Sequence, residues 1–193
     1  DCLIAGSQKA LMLPPGLAIL GLGNKAIEKI GKGKGYYFNL ATEIKSQRKN
    51  TTAWTAATTL IIGLLEVLET IEKDGGIEKL YAKTEVRANA VQSALEAIGL
   101  HVYPKTPAKS MTTIDDEDAS NIRKMLKNEF SVNVAGGQDH LNGKIFRINQ
   151  MGLIQDYEMA WVVNAVEMVL SKLGRRAYDG RANRVFNEIL FGI

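Results

Sequence analysis

One cysteine in 193 residues rules out a disulfide framework, and a reducing compartment is the natural setting for such a chain. Histidine is nearly as scarce. His101 and His140 are the only two, neither has a second ligand at metal spacing, and no metal is expected. Charge of one sign is also missing: a net +3 with no Lys/Arg block excludes the electrostatic footprint of a nucleic-acid binder. There is no long hydrophobic run either. The longest, residues 60–65, falls far short of the roughly 20 apolar residues that cross a bilayer, so no membrane partner is expected. What remains is an ordinary globular composition, 46% hydrophobic and 23% charged, long enough for one large domain or two small ones. We expect a cytoplasmic protein, with Cys2 as a small buried hydrophobe at the start of a strand.

Hydrophobic periodicity and punctuation divide the chain into a mixed α/β pattern. Residues 2–5 read as a short buried strand and 17–20 as a second, separated by a loop that Pro14-Pro15-Gly16 makes rigid. Because the chain opens directly on strand-like residues, with no turn or cap before them, further sequence is expected ahead of Asp1. Asn24 is placed to cap a helix to about Ile30, ended by Gly31-Lys32-Gly33-Lys34-Gly35, and residues 36–50 read as irregular. A long helix follows from Thr55 or Thr58 to about Asp74. It is apolar nearly all round at Leu60, Ile61, Ile62, Leu64 and Leu65, and is expected to be buried on most sides.

Gly75-Gly76 marks a domain boundary, giving expected domains of 1–74 and 75–193. Beyond it the spacing predicts a helix over 77–98 with Ala88, Val91, Leu95 and Ile98 inward. Short strands are predicted over 100–103, 111–114, 131–135 and 144–148, with a helix over 115–128 between them, acidic first and basic last. A helix over 156–173 carries Met159, Val162, Val163, Val166, Val169, Leu170 and Leu173 on one stripe. A last helix over 181–191 is expected to pack through Val185, Ile189 and Leu190.

The stretch richest in chemistry is Gly6-Ser7-Gln8-Lys9-Ala10-Leu11-Met12-Leu13-Pro14-Pro15-Gly16. A lysine leaving a strand into a proline-pinned loop, in a partly apolar site, sheds its proton more readily and attacks aldehydes better. Gly6 lets backbone approach a ligand, and Ser7 and Gln8 offer it neutral hydrogen bonds. Two further stretches stand out downstream. One is Asn50-Thr51-Thr52-Ala53-Trp54-Thr55, followed by the apolar helix at 60–68. The other is Gly136-Gly137-Gln138, then Gly143-Lys144-Ile145-Phe146-Arg147-Ile148 and Met151-Gly152.

In this order the three stretches resemble the class V pyridoxal-phosphate aminotransferases, in the branch of the alanine–glyoxylate and serine–pyruvate enzymes and the soluble hydrogenase small subunit. The resemblance runs over essentially the whole chain. It implies a type I pyridoxal-phosphate transferase fold, with residues 1–74 the C-terminal part of the large cofactor-binding domain and 75–193 the small α/β domain. It implies Lys9 as the Schiff-base lysine that also shuttles the proton, Gln8 as a contact of the cofactor phosphate, and Thr55 as a contact of the partner subunit's cofactor phosphate in a homodimer. Arg147 then grips the substrate α-carboxylate, which its planar fork suits. The implied reaction is amino transfer between a small amino acid (alanine, serine or aspartate) and a 2-oxo acid such as glyoxylate or pyruvate.

Two departures loosen any carry-over of substrate preference. Thr52 stands where some members have tyrosine, and Ala56-Ala57 where related sequences often have proline. In the family, the aspartate that pairs with the pyridine nitrogen, the stacking aromatic ring and a phosphate-binding loop all precede the lysine. Asp1 lies too near Lys9 to be that aspartate. Two readings of other classes stand beside the transaminase. One is a non-catalytic piece that only folds or dimerises. The other is a dinucleotide-binding module at Gly21-Leu22-Gly23-Asn24-Lys25-Ala26, which mimics a G-x-G-x-x-A fingerprint but lacks a hydrophobic second strand ending in an acid. A sulfur-mobilising relative is set aside, since Cys2 is not where a catalytic cysteine loop falls.

Overall fold

A computed structural model describes residues 1–31 and 35–193. The predicted Gly/Lys turn lies partly outside these residues. The chain divides into two compact units, Asp1–Lys73 and Asp74–Ile193.

In the first unit, β1 (Cys2–Gly6) and β2 (Ala18–Leu22) pair antiparallel, from Cys2 opposite Leu22 to Gly6 opposite Ala18. That pairing removes the dinucleotide reading, because a fingerprint loop needs a strand that feeds a helix and continues into a parallel neighbour. Helix α1 (Asn24–Ile30) follows. Gly23, not Asn24, occupies its N-cap position, and no side chain caps it. Residues 36–50, expected to be irregular, contain α2 (Leu40–Gln47). Its start signal is Asn39, whose carboxamide oxygen accepts from the Thr42 N–H at 3.1 Å while its NH2 donates to the Gly35 carbonyl at 3.0 Å. With only Leu40 and Ile44 at helical spacing, periodicity alone had too little apolar contrast to reveal it.

Helix α3 (Thr58–Lys73) closes the unit. Two expectations fail here. Neither β1 nor α3 is buried: Ile4 is 72% exposed and Ile62 64%, and Cys2 is exposed rather than inward. Apolar patterning records that a surface requires cover, not that the same unit supplies it.

The second unit has a well-filled core. Its four strands, β3 (His101–Val102), β4 (Met111–Asp115), β5 (Ala135–Gly136) and β6 (Ile145–Asn149), form one sheet in the order β3-β4-β6-β5, antiparallel throughout. Helices α4 (Gly76–Ala97), α5 (Ala119–Phe130), α6 (Asp156–Lys172) and α7 (Arg181–Phe191) complete it. Phe146 and Ile148 of β6 and Ile114 of β4 meet Val91, Leu95, Ile122, Leu126, Val163 and Val166 in a single apolar cluster. The predicted α4 stripe of Ala88, Val91, Leu95 and Ile98 is inward as expected.

Other details differ from expectation. The strand predicted over 131–135 begins only at Ala135, because Ser131 adopts φ 56° to cap α5, and the Val132 N–H then returns to the Leu126 carbonyl. In α7 Leu190 packs against the core as expected, but the fully inward residues are Ala182 and Phe186, and Ile189 is exposed. Two charged side chains are buried as well, Arg87 in α4 and Glu167 in α6. Arg87 ties α4 to the start of α6, its Nε donating to Asp156 at 2.8 Å.

Candidate active site

The loop between β1 and β2 is a ring closed on one residue. Ser7 is fully buried. Its N–H donates to the Leu17 carbonyl at 3.1 Å and its carbonyl accepts from the Leu13 N–H at 3.1 Å. Its hydroxyl donates to the Pro14 carbonyl at 2.7 Å and accepts from the Leu17 N–H at 3.2 Å. Ser7 is thus buried with its one hydroxyl proton committed to the loop's own backbone and has no donor left for a ligand, which corrects the expectation drawn from its sequence position.

Helix α3 supports the same loop. A Cβ on Gly63 would lie 2.9 Å from Leu13 Cδ2, so only glycine allows Leu13 this close to the helix. The turn at Pro14-Pro15-Gly16 likewise rests on Leu60. Neither Ser7's role nor Gly63's could be read from the sequence, because each is set by a contact between distant segments.

Held in this way, Gln8 and Lys9 both face outward. The Gln8 carboxamide folds back over Gly6, with Oε1 2.6 Å from where a Cβ on that glycine would stand. Among the described residues Lys9 forms no ion pair. Thr55 is exposed on the lead-in to α3. Glu43 shapes that lead-in: Oε2 accepts from the Ala53 N–H at 3.0 Å and Oε1 from Gln47 at 2.8 Å. Trp54 stacks edge-on against Tyr37, with ring centroids 5.4 Å apart. The structure therefore places Gln8, Lys9 and Thr55 in the first unit, with the lysine loop and the threonine segment both built onto α3.

Arg147 belongs to the second unit, on β6 between Thr113 of β4 and Ala135 of β5. It is half-buried, and its Nε donates to the Gly136 carbonyl at 2.8 Å. Among the described residues it has no acidic partner. The ordinary alternative for a strand arginine, a surface ion pair, is therefore not what this residue makes.

A cavity elsewhere in the second unit, lined by Tyr103, Asp115, Asp116, Glu117 and Lys144, contains none of these residues. Two of its acids are committed. Asp116 holds Arg175 through two 2.8 Å bonds and keeps that guanidinium above its ordinary pKa, and Asp115 holds His101 at 2.6 Å. Among the described residues no cluster of His, Cys, Asp and Glu is arranged to hold a metal. No described helix is long and apolar enough to cross a membrane.

No protein-family model matches the chain. It is 44% identical, over its whole length, to an uncharacterized aminotransferase of Helicobacter pylori (strain ATCC 700392 / 26695), of which it covers 53%. A serine–glyoxylate aminotransferase of Hyphomicrobium methylovorum is 29% identical over 90% of the chain and 45% of that protein. The fold superposes with a TM-score of 0.80 on a solved aspartate aminotransferase of subgroup IV from Thermus thermophilus, 31% identical over 89% of this chain and 49% of that one. The chain is similar to class V aminotransferases. It spans about half the length of the relatives it matches, corresponding to their C-terminal portion. Its mixed α/β architecture is that portion of the type I pyridoxal-phosphate transferase fold. Class V aminotransferases depend on pyridoxal phosphate, and the groups on this loop and on the lead-in to α3 suit that molecule. Lys9 offers a primary amine free of acidic partners among the described residues, and Gln8 and Thr55 are exposed neutral donors.

Removing the ring's fastener should loosen the loop. Ser7→Ala deletes one buried donor and strands the Leu17 N–H, at a cost of about 1–3 kcal/mol. Amide exchange at Leu13 and Leu17 is expected to accelerate roughly tenfold or more in the full-length protein. Unchanged protection at those amides would show that something else closes the loop.

Proposed function

We propose that this chain is part of a transaminase that moves an amino group between a small amino acid, such as alanine, serine or aspartate, and a 2-oxo acid such as glyoxylate or pyruvate. The observation that carries the reading is the Ser7-fastened loop, which presents Lys9 outward with no acid pairing its amine among the described residues. In this reading Lys9 would hold pyridoxal phosphate through Nζ and would take up the proton that leaves the substrate Cα. Gln8 and Thr55 contact phosphate, Thr55 that of a partner subunit, so the working unit is a homodimer in the cytoplasm. When bound, the cofactor withdraws electrons from the substrate Cα so that its proton can leave. Residues 1–74 form the C-terminal part of the large domain in this assignment, and residues 75–193 the small domain. The serine–glyoxylate and aspartate enzymes among the relatives support the substrate class.

Arg147 positions the substrate by its carboxylate. With Nε bonded to the Gly136 carbonyl, its outer nitrogens remain for a two-point grip. The test is steady-state kinetics of the full-length protein with each of these amino donors and glyoxylate. Arg147→Met is expected to raise the KM of both substrates by about tenfold to a hundredfold, because a charge-assisted pair contributes roughly 1.5–3 kcal/mol. Absence of turnover with every donor, in protein that binds pyridoxal phosphate, would favour the non-catalytic reading.

A further inference from the structure

We propose that Arg123 is a positioning residue that aims Arg147, acting through the short edge strand β5. This rests on the reading of Arg147 as the carboxylate grip. The strand to which Arg147 bonds is only two residues long, Ala135–Gly136, and pairs on one side alone. So short an edge has little ladder of its own to fix it.

Arg123 supplies the missing restraint. From the middle of α5 its Nε donates to the Val134 carbonyl at 3.2 Å, just ahead of β5. Its guanidinium then lies directly against Gly136: a Cβ there would be 2.4 Å from one terminal nitrogen, 2.8 Å from Cζ and 3.3 Å from Nε. Arg123 therefore occupies the space that a side chain at position 136 would need. It is half-buried and, among the described residues, pairs with no acid.

Gly136 sits between two arginines. Arg123 covers its α-carbon, and its carbonyl accepts from Arg147 Nε at 2.8 Å. That bond restricts rotation of the Arg147 guanidinium and leaves its outer nitrogens for the carboxylate. Movement of β5 would turn the fork, and a misaimed fork keeps its charge but loses the paired geometry on which bidentate recognition depends. The effect should therefore fall on carboxylate binding and not on the chemistry at Lys9.

The experiment uses the full-length protein with Arg123→Met, Arg123→Lys and Arg147→Met. The readouts are KM and kcat for an amino donor and glyoxylate, the inhibition constant of propionate as an unreactive carboxylate, and the half-reaction rate with a simple alkylamine, which has no carboxylate to grip. Arg123→Met is expected to raise KM and the propionate constant about five- to twentyfold, leaving kcat and the alkylamine rate within about twofold. Arg123→Lys should behave the same way, because lysine has neither the Nε–H nor the flat face. It carries the same readouts if methionine at 123 does not accumulate.

An Arg123 variant with unchanged KM and propionate constant, beside an Arg147→Met that raises both, overturns the positioning role and leaves Arg147's intact. An unchanged Arg147→Met overturns the reading underneath, and the inference with it. An equal loss in the alkylamine rate would mark Arg123 as generally structural and likewise overturn the proposal.

Discussion

Replacing Lys9 by alanine in the full-length protein is expected to lower kcat/KM for amino transfer by on the order of 10⁴-fold or more. The size of the effect follows from the role proposed for the amine, which is to bond to the cofactor and to carry the proton that transamination relocates. No neighbour can substitute for it. Ser7 is consumed by four hydrogen bonds within the loop, and Gln8 has no titratable group. Lys9→Arg separates charge from nucleophilicity: arginine keeps the positive charge but is never deprotonated in proteins, so it should be as inactive as alanine. In the proposed assignment the phosphate is held by Gln8 and Thr55 and not by the lysine, so cofactor should still bind noncovalently and be removable by dialysis. Single-turnover spectroscopy with an amino donor measures the loss directly. A Lys9→Arg protein that keeps more than about a tenth of wild-type turnover would falsify the assignment.

Legibility in the sequence followed a physical divide. Lys9 and Arg147 stand in contiguous runs whose order along the chain carries the resemblance, and the α4 stripe from Ala88 to Ile98 announces itself by period. The contacts that organise those runs do not. Ser7 looks like a ligand donor until the loop closes on it, and Gly63 and Gly136 are needed because Leu13 and Arg123 approach from elsewhere in the chain. Burial of charge is equally silent, since reading an apolar stripe assigns Arg87 and Glu167 to the wet side of their helices. Helix α2 went unseen for the opposite reason: its Asn39 cap is a clear local signal, but the helix has little apolar stripe behind it. The patterning of α3 predicts burial on most sides, whereas the described residues leave Ile61, Ile62 and Leu65 exposed.

Glu167 carries the largest expected effect on stability. It lies in α6, fully buried, and faces the start of α7, where Gly180 has no side chain with which to cap the helix. The Glu167 carboxylate fills that role from a distance, accepting from the Ala182 N–H at 2.9 Å and from the Asp179 and Arg181 N–H groups at 3.3 Å each. It also pairs with Arg176 at 3.1 Å. A negative charge here meets both the unsatisfied amides and the positive end of the α7 dipole. Docked in this way, α7 places Ala182 and Phe186 in the core.

Glu167→Ala leaves the Ala182 and Asp179 N–H groups without an acceptor, while Arg176 keeps its 2.8 Å pair with Asp179, at an expected cost of about 3 kcal/mol. Glu167→Gln keeps the shape but turns an NH2 toward N–H groups, and should cost about 2 kcal/mol. Hydrogen exchange resolved along α7 reads both effects. In Glu167→Ala at neutral pH, amides from Ala182 to Phe186 should exchange at least about a hundredfold faster than in wild type, and wild-type rates there would show that α7 is held by its apolar face alone.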